Sequence, residues 1–123
     1  EIISIPGPTA LTTALVVSGF PPTRFTFLGF LPKSKTKKTA IFKSLSQTKE
    51  NIPTVIFYES THRIIKTLTA LAELLPDSRR VVVGRELTKK FESVYRGSAQ
   101  EVLGQFQHDT VKGEFVVVVE GSK

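Results

Sequence analysis

The chain has 123 residues, 40% of them hydrophobic, which is enough for one domain around one core. It has no cysteine and only two histidines, His62 and His108, which excludes a disulfide framework and argues against a thiolate or histidine metal centre. No run of about 18 apolar residues could cross a membrane, and nothing at the start has the pattern of a signal peptide, so a cytoplasmic, metal-independent domain is expected. The formal net charge of +6 is one-sided. Residues 1–50 carry seven basic residues (Arg24, Lys33, Lys35, Lys37, Lys38, Lys43 and Lys49) against Glu1 and Glu50, and the remainder is nearly balanced. The excess centres on Lys33-Ser34-Lys35-Thr36-Lys37-Lys38, which suits a polyanion whose phosphates release counterions on contact, or is simply a solvated loop.

The chain contains no methionine and opens on the apolar run Ile2-Ile3-Ser4-Ile5, so a piece of a longer protein is expected, with an N-terminally trimmed small protein as the alternative. Residues 2–5 read as a short strand that stops at Pro6-Gly7-Pro8. A helix fits residues 9–17, with Pro8 tolerated in the first turn, Ala10, Leu11, Ala14 and Leu15 on one face, and Gly19 as the stop. Residues 24–30 form a Phe-rich strand, the lysine loop follows, and a second helix covers residues 37–47 around Ala40, Ile41 and Leu45. Pro-Thr-Val-Ile-Phe-Tyr at 53–58 is a strand buried on both faces. Ser60 is placed to cap a helix over 61–75 that carries Ile64, Ile65, Leu68, Leu71, Ala72 and Leu75. Residues 80–85 make another buried strand, 92–97 a more exposed one joined to it as a hairpin, 99–106 a short helix, and 114–120 a last central strand. This alternation predicts an α/β fold with a mixed, mainly parallel sheet flanked by helices.

Three polar motifs fall at strand ends, where open α/β sheets bind ligands. Pro6-Gly7-Pro8-Thr9-Ala10 could offer a helix N-terminus to an anion, or be a plain turn. Tyr58-Glu59-Ser60-Thr61-His62-Arg63 sets a carboxylate, an imidazole and a guanidinium together, with Glu59 or His62 conceivable as a base and a capping network as the alternative. Gly84-Arg85-Glu86-Leu87-Thr88-Lys89 marks a charged rim or a salt-bridged hairpin. No nucleophile triad, metal motif or complete glycine-rich nucleotide fingerprint is present.

Taken in order, Ile5-Pro6-Gly7-Pro8-Thr9-Ala10-Leu11, Gly29-Phe30-Leu31-Pro32, Phe57-Tyr58-Glu59-Ser60, His62-Arg63, Arg85-Glu86-Leu87-Thr88-Lys89 and Gly113-Glu114-Phe115-Val116 are more specific than any one motif. Together they closely resemble the C-terminal domain of the ribosomal RNA small subunit methyltransferase I family, a branch of the tetrapyrrole methylase superfamily. Thr61 stands where that family usually has proline and Thr9 where it often has serine. The resemblance implies one of two α/β domains, with S-adenosylmethionine in the cleft between them and an N-terminal domain that supplies the glycine-rich loop. It places Thr9, Ala10, Glu59, Leu87 or Thr88, and Glu114 at cofactor-contacting positions. It also implies 2′-O-methylation of a cytidine ribose in small-subunit ribosomal RNA, and a homodimer. The chemistry is an in-line displacement at the sulfonium methyl, in which positioning of the 2′-hydroxyl dominates; no residue is identified as the proton acceptor. Lys33, Lys35, Lys37 and Lys38 are expected to touch RNA phosphates. The competing readings are a tetrapyrrole C-methylase, which needs no lysine-rich loop, and a non-catalytic RNA-binding domain.

Overall fold

Alternating apolar residues give this chain a sheet with two buried faces, and the computed structural model, which describes residues 1–47, 49–106 and 111–122, shows both of them covered. Five strands, β1 (Phe25–Phe30), β2 (Thr54–Glu59), β3 (Arg80–Arg85), β4 (Ser93–Ser98) and β5 (Phe115–Val119), lie in the order β1-β2-β5-β3-β4. Val55, Phe57, Val81, Val83, Phe115, Val117 and Val119 point to one side. There they pack under three helices, α2 (Lys35–Leu45), α3 (Ile64–Leu74) and α4 (Ala99–Phe106). Their alternates Ile56, Val82, Val116 and Val118 meet Ala14 and Leu15 of α1 (Ala10–Ser18) and Phe20 just beyond it. This period-two division makes a three-layer sandwich whose helices are segregated three to one.

The sheet is mixed, as expected, but it is not mainly parallel. Only the β1–β2 pairing is parallel, and the β2–β5, β5–β3 and β3–β4 pairings are antiparallel. β1, β2 and β3 do run in the same direction. The last strand of the chain then slots between β2 and β3 and reverses the sense at the centre. β5 is buried along its whole length, which fits that slot.

The expected strand at 2–5 does not form. Residues 1–9 belong to no helix or strand, with Ile2, Ile3 and Ile5 at 100%, 75% and 86% exposure. A strand needs a ladder partner, and β2 already has β1 and β5 at its sides. The lysine-rich segment is also less of a loop than expected. Ser34 caps α2 by accepting from the Lys37 N–H (3.4 Å), so Lys35, Lys37 and Lys38 sit in its first turns, and the helix ends at Leu45 rather than 47. α3 starts later than expected, at Ile64, and its N-cap residue is Arg63 with no side-chain cap; Ser60 instead offers its carbonyl to the Arg63 and Ile64 N–H groups. α1 matches its expected stop, with Gly19 in the left-handed region and its N–H bonded to the Val16 carbonyl. His108 lies outside the described residues.

At the edge where β1, β2 and β3 begin, the sheet is tied shut. Arg80 makes a two-pronged contact with Glu120 (2.9 and 2.6 Å), and buried Arg79 donates to the Glu120 and Gln47 carbonyls. Ser122 Oγ accepts from the Ile52 N–H (2.6 Å), while Thr54 Oγ1 donates to the Pro21 carbonyl and accepts from the Gly121 N–H. Gly121 passes so close to residues 52–54 that a β-carbon would sit on the Ile52 carbonyl oxygen and 2.6 Å from the Thr54 nitrogen.

Candidate functional site

At the opposite edge the strands end without such closure, and a cavity of about 530 Å³ opens there. Its walls come from the start of α1 (Ala10), the end of β1 (Phe30), the end of β2 and the turn after it (Tyr58, Glu59, Ser60, Thr61, His62), and the start of β5 with the residues before it (Gly113 to Val116). The volume is in the range of small-molecule and cofactor sites. The placement, at the carboxyl ends of parallel strands beside a helix N-terminus, is where open sheets bind ligands.

Phe30 reaches the cavity because β1 is irregular. The register between β1 and β2 shifts between Phe27 and Phe30, and Gly29 in that interval has φ +62°. A side chain at 29 would be strained in that left-handed conformation. The irregularity lets Phe27 and Phe30 both meet Tyr58 edge-on, with centroids 5.0 and 5.7 Å apart, although an undistorted strand would send residues 27 and 30 to opposite faces. The result is an aromatic wall, with Phe30 still 60% exposed.

Glu59 is buried and engaged by its own chain. Its Oε1 accepts from the Ser60 N–H (2.8 Å) and is ion-paired with the Arg63 Nε (3.2 Å), and its Oε2 accepts from the Thr67 hydroxyl (2.7 Å). The carboxylate therefore holds the β2–α3 turn in shape, and what it presents to the cavity is mainly the backbone and side chains of that turn. Thr61 adds a second tie, donating to the Gly113 carbonyl (2.8 Å) across the cavity mouth. Proline at this position has no hydroxyl and could not make that bond. His62 is exposed on the cavity wall.

Of the expected contact residues, Ala10, Glu59 and Glu114 line the cavity together. Thr9 is the adjacent N-cap of α1, accepting from the Thr12 N–H, and its side chain is committed to that turn. Leu87 and Thr88 stand apart from the cavity lining. Leu87 packs beneath Gly84 against the α1-side core, and Thr88 sits in the β3–β4 hairpin with φ +66°, its N–H donating to Glu92. Lys89 closes that hairpin by donating to Glu114 (2.7 Å) and Glu86 (2.6 Å). Hydrogen bonds to Glu114 and then to Glu86 raise the Lys89 ammonium from 10.5 to about 12, and the bond from Lys89 holds the Glu86 carboxyl below its ordinary value. Phe30, Tyr58 and Thr61 were not singled out as contacts by the sequence motifs. The one signal for them was a glycine inside a Phe-rich strand, which marks an irregular strand and a re-aimed side chain.

The lining suits a ligand with three chemically distinct parts. The unpaired first-turn N–H groups of α1 suit an anionic group. Glu114, 85% exposed along its side chain, suits a cationic one. Phe30 and Tyr58 suit a flat ring or a soft cation. Among the described residues no group of three or more His, Asp and Glu could hold a metal ion.

The four lysines lie outside this cavity. Lys33, Lys35 and Lys38 line a separate groove between α2 and α3, and Lys37 is exposed beside it. Among the described residues no helix is long and apolar enough to cross a membrane.

Comparison with known proteins agrees with this architecture. The chain is 46% identical over 121 residues to the ribosomal RNA small subunit methyltransferase I of Bacillus subtilis, covering 98% of this chain and 40% of that protein. It is 46% identical over 124 residues to the enzyme of the same name from Xylella fastidiosa strain 9a5c, covering 99% of this chain and 44% of that protein. The chain thus spans less than half the length of these relatives. Among solved structures, cobalt precorrin-4 methyltransferase superposes with a TM-score of 0.66 over 94% of this chain and 50% of that one; at 15% identity the match shows a shared fold. Residues 1–103 match the family of Tetrapyrrole (Corrin/Porphyrin) Methylases, and the chain belongs to that family.

Proposed function

We propose that this chain is the C-terminal domain of a two-domain, S-adenosylmethionine-dependent methyltransferase that methylates a cytidine ribose 2′-hydroxyl in small-subunit ribosomal RNA. The observation that carries this reading is the cavity at the carboxyl edge, where Ala10, Phe30, Tyr58 and Glu114 converge within a chain that matches, over nearly all of its own length, part of proteins bearing the name of that enzyme. Ala10 and the α1 N-terminus are suited to the donor's carboxylate, Phe30 and Tyr58 to its ring or sulfonium, and Glu114 to its ammonium. When bound, the donor supplies an activated methyl group. The residues of this chain hold it from one side and fix its direction, so that a ribose hydroxyl can approach in line.

The remaining wall belongs to an N-terminal domain. The short reach of this chain along its relatives supports that reading, and so do Ile2, Ile3 and Ile5, which have no cover within the described residues. Lys33, Lys35, Lys37 and Lys38 are the RNA contacts of the reading, and the enzyme works in the cytoplasm as a homodimer. A tetrapyrrole substrate fits less well, because the relatives that match nearly all of this chain bear the name of a ribosomal RNA methyltransferase.

The test is methyl transfer by the full-length protein from labelled S-adenosylmethionine to isolated small ribosomal subunits, followed by nucleoside analysis. A labelled 2′-O-methylcytidine is the expected product. Label on a tetrapyrrole alone, or on no RNA at all, would reject the reading.

A further inference from the structure

α2 and α3 both start at the carboxyl edge of the parallel pair β1 and β2, so their positive N-terminal ends lie at the edge that holds the cavity. Between the two helices runs a groove of about 630 Å³ lined by Lys33, Lys35, Lys38, Arg63 and Lys66, with Glu73 as its one carboxylate. Among the described residues none of those four lysines is ion-paired. Arg63 is held at its Nε by Glu59 and Ser60, and no hydrogen bond occupies its terminal nitrogens among the described residues. It therefore presents a fork whose two terminal nitrogens, with four N–H groups between them, face the groove.

This arrangement is unfavourable for folding alone. The first turn of α2 carries no acidic residue and several lysines, the wrong sign for a helix N-terminus. Cations from two different helices also face one another across a single cleft. Such a local conflict is expected where a ligand supplies the missing negative charge. Among the described residues the groove lining has no exposed aromatic side chain on which a base could stack, so its chemistry is that of a backbone binder.

We infer that the α2–α3 groove is the track of an RNA phosphate backbone, which passes over Arg63 and delivers the target nucleotide to the cavity. The inference rests on the ribosomal RNA reading above and extends it, because it adds Arg63 and Lys66 of the α3 side to the lysines expected from sequence. Arg63 is the joint between the two sites. Through Glu59 it belongs to the turn that walls the cavity, and its free nitrogens belong to the groove.

The experiment measures binding of the full-length protein to isolated small ribosomal subunits over a range of salt concentrations. Three proteins are compared: the unsubstituted protein, the groove triple variant Lys35→Ala/Lys38→Ala/Lys66→Ala, and a charge-matched triple variant, Arg24→Ala/Lys43→Ala/Lys49→Ala, altered at the far end of β1 and α2. Thermal melting confirms that each is folded. At about 0.7 per single-strand phosphate contact, the groove variant loses about 2 from the slope of log affinity against log salt, and the control keeps its slope. Equal slopes for the groove variant and the unsubstituted protein, or equal losses in both variants, would overturn the groove while leaving the RNA substrate standing. Absence of binding by the unsubstituted protein would overturn both.

Discussion

The two edges of the sheet are built from the same residue types and put to opposite uses. Where β1, β2 and β3 begin, Arg79, Arg80, Glu120, Thr54 and Ser122 use their polar atoms on one another and on nearby carbonyls. Glycine at 121 lets the backbones close completely. Where those strands end, Glu59, Thr61 and Lys89 are also bonded, but their bonds fix turns around a cavity that stays open. Closure serves stability and, in the proposed function, the open rim serves binding, so substitutions at the two edges should separate these properties.

The largest effect is expected at the closed edge. Gly121→Val places branched carbons on the backbone of residues 52–54 and should cost about 3 kcal/mol in denaturant unfolding, as overpacking does. Ligand affinity of the folded fraction should be unchanged, since the cavity is at the other edge. At the open edge, Glu59→Ala removes the acceptor of the Ser60 N–H, the Arg63 guanidinium and the Thr67 hydroxyl together. About 2 kcal/mol of stability should be lost, discounted because the Arg63 side chain is 30% exposed. Unlike the first variant, this one should also weaken cofactor binding in the full-length protein, and Glu59→Gln should recover part of both.

The smallest effect is a pH dependence confined to the hairpin. The Lys89 ammonium is raised above its ordinary 10.5, so its contribution is complete below that value and fades as pH climbs through about 12. The Glu86 carboxyl is depressed below its ordinary 4.5, so its contribution is complete above that value and fades as pH falls through the lowered one. The melting-temperature difference between the unsubstituted chain and Lys89→Met should therefore be flat between 4.5 and 10.5 and shrink on both sides. A difference that grew toward acid would show that the ion cluster is not what holds the hairpin.

The layers were largely legible in the sequence, because strands such as Val81-Val82-Val83 and Phe115 to Val119 declare burial by composition alone. Direction was not legible. No local pattern says that β5 enters between β2 and β3, so the sheet was expected to be mainly parallel and has one parallel pair. Residues 2–5 have strand composition but no partner, and pairing is a property of the neighbour. Ser34 was hidden as a cap by the lysines around it, whose charge pattern suggests a loop. For the site, three of the residues that motif resemblance gave as cofactor contacts, Ala10, Glu59 and Glu114, lie on the cavity lining. The resemblance could not show that Leu87 turns inward under Gly84, or that the backbone irregularity at Gly29 brings Phe30 in. Those depend on contacts between segments far apart in sequence.

Whether the open edge is one wall of a methyl-donor site is tested most directly at Ala10, which is small, exposed and on the lining. S-Adenosylmethionine should be titrated calorimetrically into the full-length protein and into its Ala10→Trp variant, with melting curves to show that both are folded. A methyl-donor site here requires binding by the first and loss of at least about 1.4 kcal/mol, or tenfold, by the second. Equal affinity in the two proteins would contradict it.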